Sequence, residues 1–218
     1  MHHSTQGIVL NCTQYKDNAY IVSIFTKAFG KVSYTVHRPQ SKHAKIKMQH
    51  IQAMSLIEMV VEHREKKEVQ QLIEAKLLPV SHLLHDNPEK ISICFFMAEV
   101  IHKTLENINA DEELFQFIVK SMEYLAESKH FGLFPIQFLL TYASYIGIYP
   151  YDNLENEWIK LQSTTDQQLL TVVLANENLL NRTERKKALQ LLLSYYQYYL
   201  PGMGKLRSLD VLTEIFSA

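Results

Sequence analysis

The chain has 218 residues, of which 47% are hydrophobic and 21% are charged. This composition argues against a disordered protein and is typical of a folded one with a buried core. No apolar run approaches the roughly 20 residues of a membrane-spanning helix, and the first residues lack the pattern of a secretory signal. We therefore expect a cytoplasmic protein that is not inserted in a membrane.

Charge is distributed unevenly along the chain. Residues 1–80 contain 11 Lys and Arg against 6 Asp and Glu, whereas residues 81–218 contain 11 against 17. The overall net charge of −1 therefore hides a basic first third and an acidic remainder. This asymmetry predicts a module that faces a polyanion, joined to an acidic module.

The first 80 residues have the composition and period of β-strands. Residues 31–37 alternate, with Val32, Tyr34 and Val36 on one face. Four other segments are rich in apolar and β-branched residues at strand length. These segments are 7–10, 19–26, 54–61 and 69–77. Five short strands predict a small closed barrel of the OB type.

From residue 81 onward the apolar residues recur at helical spacing, so the predicted fold class is α+β. We expect a five-stranded OB-fold barrel in residues 1–80, followed by an all-α helical domain in residues 81–218. Capping residues predict helix starts at Asn87 before Pro88, at Asn109 with Glu112, at Asn181 with Glu184, and at Ser208. The first of these helices has a predicted apolar stripe of Ile91, Cys94, Phe95, Ala98, Ile101 and Leu105.

The two cysteines, Cys12 and Cys94, are far apart in sequence and lie in apolar surroundings. We interpret them as small buried residues rather than as a disulfide or a metal site. No metal and no cofactor is predicted.

Basic residues cluster in and after the third predicted strand. From Arg38 to His50 there is no acidic residue. Such a segment on an OB barrel can neutralise phosphates without reading sequence. The predicted DNA-binding residues are Lys27, Lys31, Arg38, Lys42, Lys45 and Lys47. The alternative is a solvated loop whose cations bind nothing specific.

Stacking on bases would require exposed aromatic rings beside these cations. The aromatic candidates are Tyr20, Phe25, Phe29 and Tyr34. Phe29, in a predicted turn, is the one we expect to be most exposed. Tyr34 shares a face with two valines and is expected in the core.

A second basic group occurs in the acidic half. Its members are Arg182, Arg185, Lys186 and Lys187 at a helix start, with Lys205 and Arg207 near the end. Positive charge at a helix N-terminus opposes the helix dipole, which suggests a partner or DNA contact. The alternative is a solvated helix face. In the run Tyr195-Tyr196-Gln197-Tyr198-Tyr199, four rings cannot all face the core.

The order of elements and several short motifs resemble the RecO family. The similar segments are 7–10 followed by Tyr15, 21–30 with Thr26 and Gly30, Ser41-Lys42, 145–150, and 206–212. The resemblance implies a DNA repair and homologous recombination mediator. Such a mediator binds single- and double-stranded DNA, anneals complementary strands and helps load recombinase on strands coated by single-stranded DNA-binding protein. It also implies a RecR-like partner, contact with the acidic tail of single-stranded DNA-binding protein, and association with the nucleoid.

The chain departs from the family pattern at two places. Many members bind zinc through cysteine pairs, but residues 148–168 contain no cysteine, so a thiolate zinc site is impossible there. Some relatives place a cation near the start of a helix to receive the acidic tail, whereas residues 134–137 contain none. A tail site would therefore use other basic residues.

Enzymatic motifs are missing from the sequence. It contains no Gly-rich phosphate loop, no Gly-x-Ser-x-Gly and no His-Glu-x-x-His. We therefore expect a protein that is not an enzyme. The alternative function is a protein-interaction adaptor whose barrel binds peptide or RNA.

Overall fold

The computed structural model describes residues 2–38, 44–64, 67–105, 109–149, 157–175 and 180–215. Five strands form in its first part, namely β1 (His2–Lys16), β2 (Ala19–Thr26), β3 (Gly30–His37), β4 (Leu56–Glu62) and β5 (Val69–Leu77). Eight α-helices follow within the described ranges. They are α1 (Pro79–His85), α2 (Pro88–Thr104), α3 (Glu112–Glu127), α4 (Phe134–Tyr145), α5 (Glu157–Lys160), α6 (Thr164–Leu174), α7 (Arg182–Tyr199) and α8 (Ser208–Ile215).

The strands close into a barrel in the order β1-β2-β3-β5-β4. The β3–β5 pairing is parallel, and the other four pairings are antiparallel. This arrangement confirms the predicted OB-type barrel and the α+β class. β1 is much longer than the predicted segment 7–10. The sequence did not indicate the added residues, because they are mostly polar and show no apolar pattern.

The barrel interior is filled by alternating residues of each strand. Gly7 sits where a Cβ atom would lie 2.6 Å from both the Ile24 Cγ2 and the Met59 Sδ atoms, so this position has no room for a larger residue. The inward cluster consists of Val9, Val22, Ile24, Tyr34, Val36, Ile51, Ile57, Met59, Val61, Leu72 and Ala75. Alternation therefore determines which residues of the barrel are core.

The opposite face of β1 and β2 packs on the helices. Ile8, Leu10 and Phe25 belong to the same hydrophobic cluster as the helical part, and the rings of Phe25 and Phe115 lie 5.9 Å apart. At the chain junction, the Ser81 hydroxyl accepts a hydrogen bond from the Leu56 backbone N–H at 2.9 Å. The outer face of the barrel is thus part of the helical core, whereas the barrel interior forms a separate cluster. The predicted division at residue 80 stays a prediction.

Two of the predicted helix starts are confirmed by cap hydrogen bonds. The Asn87 side chain accepts from the N–H groups of Glu89 and Lys90. Asn181 and Glu184 form the predicted reciprocal capping box, with distances of 3.0 Å and 2.8 Å. These local signals were sufficient because each cap lies within a few residues of the groups that it satisfies.

Three residue-level predictions were wrong. The cap of α3 is Asp111, whose carboxylate accepts from Leu114 N–H at 2.9 Å, so Asn109 is not the cap. Phe95 is 54% exposed rather than part of the buried stripe of α2. Cys12 is exposed because β1 leaves the barrel before this position, whereas Cys94 is buried as predicted. Burial raises the pKa of the Cys94 thiol to about 12, so it remains protonated near neutral pH.

The tyrosine run divides as its spacing required. Tyr195 and Tyr196 are buried, whereas Tyr198 and Tyr199 are 46% and 39% exposed. The Tyr196 hydroxyl donates to the Leu139 carbonyl at 2.6 Å. Among the helices that the structure describes, none has the length and apolar character needed to cross a bilayer.

Candidate nucleic-acid interface

Three segments of the barrel meet on one side of it. The backbone N–H of Arg38, directly after β3, donates to the Asn18 carbonyl at the tip of the β1–β2 hairpin, at 3.0 Å. The N–H of Ala75 in β5 donates to the Lys45 carbonyl at 3.3 Å, so residues 44–47 lie against β5. Arg38 and Lys45 therefore border the same depression.

A groove of about 490 Å³ lies between these segments. Its walls are formed by Asn18, His37, Arg38, Ala44, Lys45, Ile46, Gln71, Leu72 and Ile73. None of these wall residues is acidic, and the side chains of Arg38, Lys45 and nearby Lys47 are exposed. We call this the barrel groove. Its charge suits a phosphate backbone.

Lys45 also has a partner within the chain. Its ammonium group pairs with the Glu74 carboxylate, and the two side chains are 68% and 45% exposed. Exposed ion pairs of this kind contribute little to stability, so an incoming phosphate can replace Glu74 at little cost. Glu74 belongs to a neighbouring depression that also contains Glu58, whose mixed charge suits a polyanion less well.

Two of the six predicted DNA-binding residues face the helices instead of the groove. The Lys31 ammonium donates to the backbone carbonyls of His102 and Leu105 at the end of α2, at 2.6 Å and 2.5 Å. Lys27 forms a 2.8 Å ion pair with Glu112 in the first turn of α3. Both cations therefore lie at the junction between the barrel and the helical part.

The remaining residue of that set, Lys42, lies outside the described residues. So does Ser41, on which part of the resemblance to the family depends. The structure accordingly places Arg38 and Lys45 in the groove wall, with the exposed Lys47 two residues further along the chain. The assignment of Lys42 stays a prediction.

The predicted stacking residues are placed by the barrel itself. Phe25 and Tyr34 are fully buried, the first against the helices and the second inside the barrel. Phe29 is half-buried and stacks on His63, with ring centroids 4.2 Å apart. Tyr20 is half-buried and packs against the interior cluster. Strand alternation explains why apolar strand positions turned inward.

The second basic group is divided by the structure into three places. Lys187 forms a 3.2 Å ion pair with Asp166 of α6. Lys205 lies 4.0 Å from Asp210, and the backbone N–H of Arg207 donates to Glu99 at 3.0 Å, at the contact between α2 and α8. Only Arg182, Arg185 and Lys186 converge, and they do so at a pocket.

This pocket has a volume of about 330 Å³ and lies between α4, α7 and α8. We call it the helical pocket. Among the described residues, its walls are Gly132, Pro135, Ile136, Arg182, Thr183, Arg185, Lys186, Leu189, Leu212 and Thr213. These walls combine three cations with an apolar floor and include no acidic residue. A Cβ atom on Gly132 would lie 2.8 Å from the Arg185 guanidinium, so glycine leaves the space that this side chain fills.

Several groove and pocket residues were missed by sequence reasoning. Asn18 could have been found, because a longer first strand paired with the second places the hairpin tip beside the end of β3. Ile136, Leu189 and Leu212 could not, because apolar residues on three separate helices give no sign that they meet. The cations of the pocket were found because a basic helix start is unusual.

Comparisons with known proteins agree with this geometry. The family model described as Recombination protein O N terminal matches residues 1–80. The DNA repair protein RecO of Azobacteroides pseudotrichonymphae is 31% identical, over 99% of this chain and 100% of that protein. The chain belongs to the RecO family. The RecO proteins of Flavobacterium psychrophilum and Phocaeicola vulgatus are 28% and 29% identical, each over the full length of both chains.

The RecO-like segment 206–212 has a clear structural role. Leu206 and Leu212 are buried. The Ser208 N–H and hydroxyl both donate to the Glu99 carboxylate, at 2.8 Å and 2.7 Å. This segment holds α8 against α2.

Proposed function

We propose that this RecO-family chain is a non-enzymatic mediator of DNA repair and homologous recombination. It binds single- and double-stranded DNA through the barrel groove and anneals complementary strands. It helps load recombinase on strands coated by single-stranded DNA-binding protein, together with a RecR-like partner. The observation that carries the proposal is the groove on an OB-type barrel that Arg38 and Lys45 border and whose described wall residues include no acid.

The proposed mechanism requires binding energy alone. Cations at the groove neutralise backbone phosphates and release counterions, which favours binding of any sequence. Neutralised strands repel one another less, so base pairing can proceed between them. Among the predicted set, we assign this role to Arg38, Lys42, Lys45 and Lys47. We assign Lys27 and Lys31 to the domain junction, because both already bind helical groups.

The groove assignment is tested by salt-dependent DNA binding. The double variant Arg38→Ala/Lys47→Ala should bind DNA more weakly whatever its sequence. The slope of log K against log salt should fall by about 2, because each lost phosphate contact lowers it by about 1. The matched control is Lys120→Ala/Lys160→Ala, which removes two exposed lysines of the helical part. An unchanged slope in the first variant would show that the groove is not the DNA site.

The same titration separates the proposal from the adaptor alternative. A barrel that binds an apolar peptide should lose little affinity between low and physiological salt, because few counterions are released. Binding to a phosphate backbone should weaken steeply over that range.

We further propose that the helical pocket receives the acidic tail of single-stranded DNA-binding protein. Three cations over an apolar floor suit an acidic peptide that also carries apolar side chains. The site uses α7 cations, because residues 134–137 of α4 supply none. A fluorescent peptide with the sequence of the cognate tail should bind the wild type.

Variants of the basic helix start test this site. Arg182→Ala/Lys186→Ala should weaken tail binding, whereas Lys187→Ala should not, because Lys187 is paired with Asp166 away from the pocket. If both variants lose affinity equally, the attraction is general charge rather than this pocket. DNA binding by the barrel groove should be unchanged in all three proteins.

A further inference from the structure

Tyr15 is an exposed aromatic residue of the barrel that the predicted stacking set did not contain. It is 59% exposed and lies near the tip of the β1–β2 hairpin. By contrast, the rings of Phe25 and Tyr34 are fully buried. A base can stack only on a ring whose face is open, so Tyr15 meets a requirement that those two rings fail.

The hairpin projects from the barrel. β1 pairs with β4 only from His2 to Ile8, whereas its pairing with β2 continues to Lys16. Residues 11–18 are all exposed. The ribbon that carries Tyr15 therefore reaches into solvent on the side where Asn18 meets Arg38.

A β-bulge sets the position of Tyr15. Gln14 pairs with Tyr20 and Lys16 pairs with Ala19, so Tyr15 is the extra residue that has no partner across the ladder. Bulges bend the strand locally and redirect a side chain, and they occur often beside functional sites.

The surroundings of Tyr15 are suited to a nucleic acid strand. The Lys16 ammonium lies 5.2 Å from the centre of the Tyr15 ring. Asn18, three residues further on, lines the barrel groove together with Arg38. One acid, Asp17, is present at the tip and is exposed. Ring and groove are thus joined by one short segment.

We propose that Tyr15 stacks on an unpaired base of DNA held in the barrel groove and thereby favours single-stranded over double-stranded DNA. This inference rests on the proposed function of the groove. Bases of a duplex already stack on one another, so the Tyr15 ring adds no affinity for double-stranded DNA. For a single strand, removal of a stacking ring typically costs from about fivefold to about a hundredfold in affinity.

The test compares two substitutions of Tyr15 on two DNA probes. The affinities of a labelled oligothymidine strand and of a hairpin duplex with the same number of phosphates are measured by anisotropy at one salt concentration. Tyr15→Ala should bind the single strand about tenfold more weakly and the duplex as the wild type does. Tyr15→Phe should retain wild-type affinity for both probes, since it keeps the ring. An abasic single strand should bind wild type and Tyr15→Ala equally.

Tyr124→Ala is the matched control, because this tyrosine is 56% exposed and lies on α3 rather than on the hairpin. If Tyr15→Ala loses the same factor of affinity for both probes, the proposal is overturned, and the ring only shapes the hairpin. Unchanged binding of both probes would also overturn it, while salt-dependent binding by the wild type would leave the proposed function intact. If the wild type binds neither probe, both the stacking role of Tyr15 and the proposed DNA-binding function are contradicted.

Discussion

Lys31 and Lys47 both belong to the basic first third, but their ammonium groups meet different surroundings. Lys31 reaches the last carbonyls of α2, where its charge also complements the negative end of the helix dipole. Lys47 is exposed and follows Lys45 of the barrel groove by two residues. One cation therefore stabilises the fold, and the other is available to a ligand.

The two lysines should consequently give opposite results when removed. Lys31→Ala should lower the free energy of unfolding by about 1–3 kcal/mol, because charged hydrogen bonds to two carbonyls are lost. Its DNA affinity should stay near the wild-type value. Lys47→Ala should keep its stability and lose DNA affinity. Urea denaturation and anisotropy on the same preparations measure both. If a folded Lys31→Ala protein loses DNA affinity, Lys31 binds DNA and its assignment to the junction is wrong.

Residue composition alone could not distinguish these two lysines. The sequence correctly indicated a basic segment without acids between Arg38 and His50. Which cations face outward depends on where α2 ends relative to the barrel, and that is a contact over some 70 residues of chain. The exposure of Tyr15 was missed for a related reason, because it depends on how far β1 continues past the barrel.

At the scale of elements, local signals predicted more than distant ones. The start of α7 was predicted because Asn181 and Glu184 satisfy each other's backbone groups. The outer half of β1 and the short helix α5 were not predicted, since neither shows an apolar period. The cap of α3 was assigned two residues too early, because Asn109 and Asp111 are both good caps and only the tertiary fit selects between them.

One buried histidine, His50, and one half-buried histidine, His102, make these elements sensitive to acid. The pKa of His102 in α2 is lowered by burial and by the nearby Lys31 and Lys103, with Glu99 opposing them. The pKa of His50 is lowered by burial and by Lys47. Each ring is therefore more readily protonated in the unfolded chain than in the folded one.

The free energy of unfolding should be nearly constant above pH 6.5, the ordinary histidine value, and should fall as the pH drops below it. Denaturation midpoints between pH 5 and pH 8 measure the effect. The free energy of unfolding of His102→Gln should fall less steeply with decreasing pH than that of the wild type. His82→Gln, which removes an exposed ring of α1, is the matched control. A wild type more stable at pH 5.5 than at pH 7.5 would contradict the assignment.

At the scale of the whole molecule, aromatic packing holds the described residues of the cysteine-free region 148–168. Trp158 of α5 is buried and meets the Tyr195 ring edge to face, with centroids 5.2 Å apart. The Tyr195 hydroxyl donates to the Ile148 carbonyl. These contacts connect Ile148 and Trp158 to α7 without thiolate ligands.

A metal chelator should therefore leave the thermal unfolding midpoint unchanged. Trp158→Ala should lower the free energy of unfolding by about 3–5 kcal/mol, as is usual when a buried tryptophan is truncated. Leu161 follows Trp158 by three residues and is 73% exposed, so Leu161→Ala should change the free energy of unfolding little. A marked fall of the midpoint with chelator would show that a metal is part of the fold.

The outer face of the barrel packs into the helical core, yet the barrel and the helices each carry a cationic depression of their own. The barrel groove is proposed for DNA, and the helical pocket is proposed for an acidic tail. A mediator needs both contacts, because it must approach a strand that another protein already covers. The sequence indicated both basic groups, but only the fold separates the cations that converge from those that are paired.

The most direct test of this account is annealing of two complementary oligonucleotides, both coated with the cognate single-stranded DNA-binding protein. We predict that the wild type accelerates annealing without ATP, and that the acceleration fades as salt increases. Arg38→Ala/Lys47→Ala should lose most of it, while Lys120→Ala/Lys160→Ala should retain it. No acceleration by the wild type, or full acceleration by the groove variant, would contradict the proposed role of the barrel groove.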